Sequence, residues 1–132
     1  MRYFINMLIK ILCSLVDFFF ISTERRILLH GYMGVPSGNS LALYNFLNLQ
    51  TDLNYDIWWT GQKGGSASYQ FDNFRATPER TASIISHISY LIFLMRFKIL
   101  LFEGAGDLSL YVRFLSNRRD RSKVLLNHGF CL

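Results

Sequence analysis

Two histidines stand where apolar runs end: Arg26-Ile27-Leu28-Leu29-His30 and Val124-Leu125-Leu126-Asn127-His128. Each is followed at once by a glycine, Gly31 or Gly129. A His titrating near neutral pH is suited to taking a proton from a hydroxyl nucleophile. A glycine beside it lets backbone and ligand approach closely. If both runs are strands of a parallel sheet, both His lie on its carboxyl edge, where open α/β sheets bind ligands. Three loops would converge there: His30 to Asn39, Glu103 to Asp107, and Asn127 to Phe130. They bring together two His, two acids that could orient them, and Asn39. An end-of-strand His is also a common structural residue, so spacing alone leaves both roles open.

Other chemistries find weaker support. Gly104-Ala105-Gly106 follows an apolar run, but Ser109 stands where a dinucleotide fingerprint needs its third glycine, so a plain turn is expected. No phosphate-loop Gly-Lys-Ser is present, and no Ser occupies a nucleophile-elbow context. Cys13 and Cys131 lie too far apart in sequence for a metal-ligand pair. They read as reduced thiols, and no metal or cofactor is expected. His87 falls on the polar side of its helix and reads as solvated.

The elements that must position these residues follow from apolar periodicity. Strands are expected at Arg26–His30, Tyr55–Thr60, Lys98–Phe102 and Lys123–Leu126, with a weak one at Ala67–Phe71. Helices are expected at Ser40–Leu49, capped by Asn39 or Ser40, and at Leu108–Leu115. Another is expected from the Thr77-Pro78-Glu79 start through Ile84, Ile88, Leu91 and Met95. Strands separated by helices imply crossovers, hence a Rossmann-like α/β domain with an open parallel sheet.

Composition agrees with one domain. The chain has 132 residues, 51% of them hydrophobic and 17% charged, too apolar for disorder. Net charge is +5, with a dense run at Arg118, Arg119, Arg121 and Lys123. That run reads either as a solvated loop or as a contact for an anionic partner such as headgroups or a nucleotide. Nucleic acid is not expected, because no recognised binding motif accompanies the charge. Residues 1–24 form an apolar segment, and residues 25–132 the α/β part. Within Tyr3–Ile21, Asn6, Lys10, Ser14 and Asp17 make one narrow polar stripe on a helix. Three placements follow: lying in a membrane interface, packing on protein, or spanning a bilayer.

Taken together, the pieces from Ile27 to Leu132 resemble the N-terminal part of the CDP-glycerol glycerophosphotransferase family, the polymerases and primases of teichoic acid synthesis. The likeness rests on Ile27-Leu28-Leu29-His30-Gly31-Tyr32-Met33-Gly34, on Gly38-Asn39-Ser40-Leu41-Ala42-Leu43-Tyr44, and on the Trp-ended run Tyr55–Trp59. It continues in Asn127-His128-Gly129-Phe130-Cys131-Leu132, set against the family's Trp-His-Gly-x-Pro-x-Lys. Departures are Gly38 and Ser40 flanking Asn39 in place of Asp and Pro, Asn127 for Trp, and Cys131 for Pro.

The resemblance implies the first, acceptor-side half of a two-domain GT-B enzyme. His128 would be the catalytic base, with Gly31, Gly34, Asn39 and Gly129 binding substrate. CDP-glycerol would be the donor and a lipid-linked or polymer hydroxyl the acceptor, at the cytoplasmic face of a membrane. The half-domain is expected to be incomplete at its C-terminus and inactive as this chain alone. Alternatives are another GT-B glycosyltransferase or a polysaccharide pyruvyl transferase, or a non-catalytic membrane-associated binding module.

Overall fold

The computed structural model describes residues 2–19, 23–31, 35–36, 38–103, 111–115 and 121–126. Helix α1 (Arg2–Phe19) leads into β1 (Thr23–His30), α2 (Gly38–Leu49), β2 (Asp56–Gly61) and the short α3 (Ser66–Gln70). β3 (Phe74–Ala76), α4 (Ile84–Met95), β4 (Phe97–Glu103) and β5 (Ser122–Leu126) complete it. All pairings are parallel, and the strands lie in the order β3-β2-β1-β4-β5. This is the open, all-parallel, Rossmann-like α/β sheet expected from the alternation of elements.

Alternate residues of the strands build two cores. Ile27 and Leu29 of β1, Ile57 and Trp59 of β2, and Leu101 of β4 face one side, under Leu43, Tyr44 and Leu47 of α2. Leu28 and Leu100 face the other side, under Tyr90, Leu91 and Leu94 of α4. A central strand buried on both faces must read as a continuous apolar run, as β1 does. The crossover β1-α2-β2 covers one face. The crossover β3-α4-β4 covers the other and carries the chain back past β1. The direction of winding therefore reverses between β1 and β4.

Two expectations are corrected. Ala67–Phe71 is not a strand: Ser66–Gln70 is a helical turn, and the third strand is Phe74–Ala76. Phe71 instead stacks on Trp59 at 4.6 Å and 14° between planes. The helix start at Thr77 is also displaced. Thr77 N–H donates to Gly61 O at 2.8 Å, continuing the β2–β3 ladder. α4 begins after Ser83, whose side chain accepts from Ser86 N–H at 3.3 Å.

Helix α1 meets the domain along a narrow strip. Asn6 and Ile9 are half-buried and Cys13 is buried, whereas Phe4, Leu8, Ile11, Leu12 and Leu15 are exposed. Lys10 and Ser14 of the sequence stripe are exposed as well. Among the described residues, no helix is long and apolar enough to cross a membrane.

Candidate functional site

The winding reversal opens the sheet's carboxyl edge between β1 and β4, the place where doubly wound sheets bind ligands. His30 ends β1, only 3% exposed, in register with Phe102 of β4. One residue further, Glu103 ends β4 and pairs with Leu126 of β5. Three strand ends thus stand side by side, as the sequence reading required.

Glu103 is the residue that organises this edge. Its side chain is 1% exposed. Oε1 accepts from Asn39 N–H at 2.7 Å and from Ser40 N–H at 3.1 Å. Oε2 accepts from the Ser40 hydroxyl at 3.0 Å. The first amides of a helix have no intrahelical acceptor, and the helix dipole favours a negative charge there. Glu103 meets both needs from 63–64 residues away along the chain. A carboxylate distant in sequence thus serves the start of α2, where the sequence reading expected Asn39 or Ser40 as the cap.

The glycines here have specific reasons. A Cβ on Gly31 would lie 1.8 Å from Val35 O, so only glycine lets the β1–α2 loop fold back so tightly. Gly38 adopts φ +56°, and a Cβ there would come within 3.2 Å of Glu103 Oε1, so it suits both the backbone and the carboxylate.

Of the expected substrate-binding residues, Gly31 is buried and directly follows β1. Asn39 is exposed at the start of α2, with its backbone bound to Glu103. Gly34, His128 and Gly129 lie outside the described residues, as do Asp107 and Cys131. The role of Glu103 was missed by sequence reading. The available signal was an acid closing the apolar run Ile99-Leu100-Leu101-Phe102, a position whose burial demands donors.

The arrangement has a chemical consequence. α2's N-terminus would be the diphosphate cradle of a nucleotide-binding half. In this chain the cradle holds the chain's own carboxylate. Among the described residues, no group of three or more His, Cys, Asp or Glu is placed to hold a metal ion.

Two further features qualify the sequence reading. In the basic run, Arg121 is buried and donates to Met95 O at 2.9 Å and Phe97 O at 3.3 Å. Lys123 donates to Leu115 O at 3.0 Å and Val112 O at 3.3 Å. These two cations are tied to backbone carbonyls and do not form a solvated loop. Arg118 and Arg119 lie outside the described residues.

His87 is also not simply solvated. It is half-buried, and its Nδ1 lies 2.6 Å from Tyr111 Oη. It lines a cavity of about 690 Å³ between α1, α4 and the loops after β2 and β3. Behind those loops, Tyr90 is fully buried and shares hydrogen bonds with Thr60 and Thr77. Burial pushes its phenol up to about 12, against the pull of those hydroxyls.

Comparison of the chain with protein-family models, with curated proteins and with solved structures yields no match, so the reading of function rests on this geometry and on the residues themselves.

Proposed function

We propose that the chain is the acceptor-side half of a glycerophosphotransferase-like enzyme of the CDP-glycerol type, working at a membrane surface. The observation that carries this reading is Glu103 seated at the start of α2. A Rossmann-like half whose first helix N-terminus is filled by its own carboxylate offers no diphosphate cradle there. Such a half fits the acceptor side of a two-domain transferase better than the donor side. By the family resemblance, His128 deprotonates the acceptor hydroxyl. The oxygen attacks the donor's β-phosphorus, the bond between the α- and β-phosphates breaks, and CMP leaves. Orientation of the acceptor by Asn39 and the glycine loop supplies the rest.

Vesicle flotation tests the reading. Vesicles carrying a glycerol-phosphate-terminated lipid should retain the chain better than vesicles of equal charge without it, and His128→Ala should remove that preference. CDP-glycerol alone should give no binding heat with this chain. Tight binding of CDP-glycerol would overturn the acceptor-side assignment. The exposed apolar face of α1 favours a second reading, a non-catalytic membrane-bound module. Flotation with no preference for the acceptor lipid would decide for it.

A further inference from the structure

A different cavity stands apart from the switch point, and its role does not depend on the reading above. It encloses about 710 Å³ between the end of β3, the segment that follows it, and α4, within the range of small-molecule sites, about 300–1,000 Å³. Among the described residues its lining is mostly polar. Thr77, Thr81, Ser86, Ser89 and Tyr90 carry hydroxyls, and Lys63, Arg75 and Glu79 carry charge.

Several of these groups are fixed relative to one another. Arg75 Nη2 donates to Ser89 Oγ at 3.0 Å. Ser86 stands three residues before Ser89 and four before Tyr90, so the three share one face of α4. The Tyr90 hydroxyl lies 3.4 Å from Thr77 Oγ1. A guanidinium and a set of hydroxyls are thus gathered against that face.

Arg75 is held in place but not neutralised. Its guanidinium carbon sits 5.6 Å from the centroid of the Phe93 ring, and its other partner is the Ser89 hydroxyl. Neither is an anion. The bond to Ser89 uses one N–H of a group that has several, which leaves a planar fork suited to a carboxylate. Ser89 Oγ accepts from Arg75, so its own proton can be donated to the same ligand. A long side chain already held in place loses less entropy when a ligand binds. Lys63 and Glu79 are of opposite sign, so the surplus among the described lining residues is the single charge of Arg75. A dianionic phosphate would ask for more positive charge than this.

We infer that this cavity binds a small hydroxylated monocarboxylate, of the chemical class of the sugar acids. The carboxylate takes Arg75 and Ser89. The ligand's hydroxyls meet those of Ser86 and Thr77, which can each donate and accept.

Titration calorimetry and amide chemical shifts on the full chain test this with three probes. Gluconate carries both features, sorbitol has the hydroxyls without the charge, and hexanoate has the carboxylate on an apolar body. Gluconate should bind tightest. Sorbitol should bind about tenfold more weakly, having lost the charge-assisted bonds. Hexanoate should also be at least about tenfold weaker, because it leaves the site's hydroxyls without partners. The shifts should centre on Arg75, Ser86 and Ser89. Arg75→Gln should bring gluconate down to the level of sorbitol and leave sorbitol unchanged. Ser86→Ala should weaken gluconate and sorbitol about fivefold each. Arg75 and Ser86 are both exposed, so circular dichroism should be unchanged. Sorbitol or hexanoate binding as tightly as gluconate, gluconate affinity unaffected by Arg75→Gln, shifts centred elsewhere, or no binding of gluconate would each overturn the inference.

Discussion

Replacing Glu103 by Ala removes one acceptor group from three donors at once: Asn39 N–H, Ser40 N–H and the Ser40 hydroxyl. Asn39 is exposed, so water can serve its amide. Ser40 is fully buried, so water does not replace the acceptor that its amide and hydroxyl lose. A buried unsatisfied donor costs about 1–3 kcal/mol. The helix dipole also loses its counter-charge, worth about 0.3–1 kcal/mol. Together these come to about 2–7 kcal/mol, a large part of an ordinary domain's 5–15 kcal/mol or so. Glu103→Gln keeps an oxygen for the two amides, and its NH2 can donate to the Ser40 hydroxyl. It should cost only about 1–2 kcal/mol.

Urea unfolding followed by far-UV circular dichroism measures both, with an unchanged slope confirming that the same surface is exposed. Hydrogen exchange adds a local readout. In Glu103→Ala the amides of Asn39 and Ser40 should exchange faster relative to the core of α2. A Glu103→Ala variant within about 0.5 kcal/mol of the parent would refute the argument. So would a Gln variant as damaged as the Ala variant, since the argument assigns the cost to missing acceptors.

Three other outcomes are expected. Tyr90 holds its proton in the fold to about 12 and in the unfolded chain to about 10, so its contribution is complete below pH 10. As pH rises from 10 through 12, stability should fall by about 3 kcal/mol. Tyr90→Phe should lose about 1 kcal/mol at pH 7 and abolish that alkaline step; an unchanged step would assign it elsewhere. Gly31→Ala must push its Cβ into Val35 O and should cost at least about 1–3 kcal/mol, read by thermal melting. Leu8→Asp with Leu12→Asp, both on exposed positions of α1, should leave the melting temperature unchanged and abolish flotation with anionic vesicles. Loss of fold would show that this face packs on protein.

Much of the scaffold was legible because its signals are local. Ile27-Leu28-Leu29 and Ile99-Leu100-Leu101 are apolar on both faces, which only a buried strand between two helical layers satisfies. The isoleucines and leucines of α4 keep helical spacing, so that helix was found although its N-cap was displaced by six residues, from Thr77 to Ser83. The displacement has a tertiary cause. Thr77 had good capping chemistry, but the ladder to Gly61 and the buried hydroxyls of Thr60 and Tyr90 claimed it for the sheet. Ala67–Phe71 was misread for a similar reason: Phe71 earns its burial by stacking on Trp59, not by strand pairing.

The class of fold, the parallel direction of the strands and the gathering of their ends at one edge were readable without coordinates. These follow from periodicity, which each segment carries alone. Which groups meet at that edge depends instead on how the layers pack. Glu103 fills the start of α2, Arg121 and Lys123 donate to backbone carbonyls, and His87, which lines a cavity, is bonded to Tyr111. Each of these is a partnership between residues 8–64 positions apart. A buried charge or a free helix terminus states in sequence that it needs a partner. Only the packing of the layers says which one it gets.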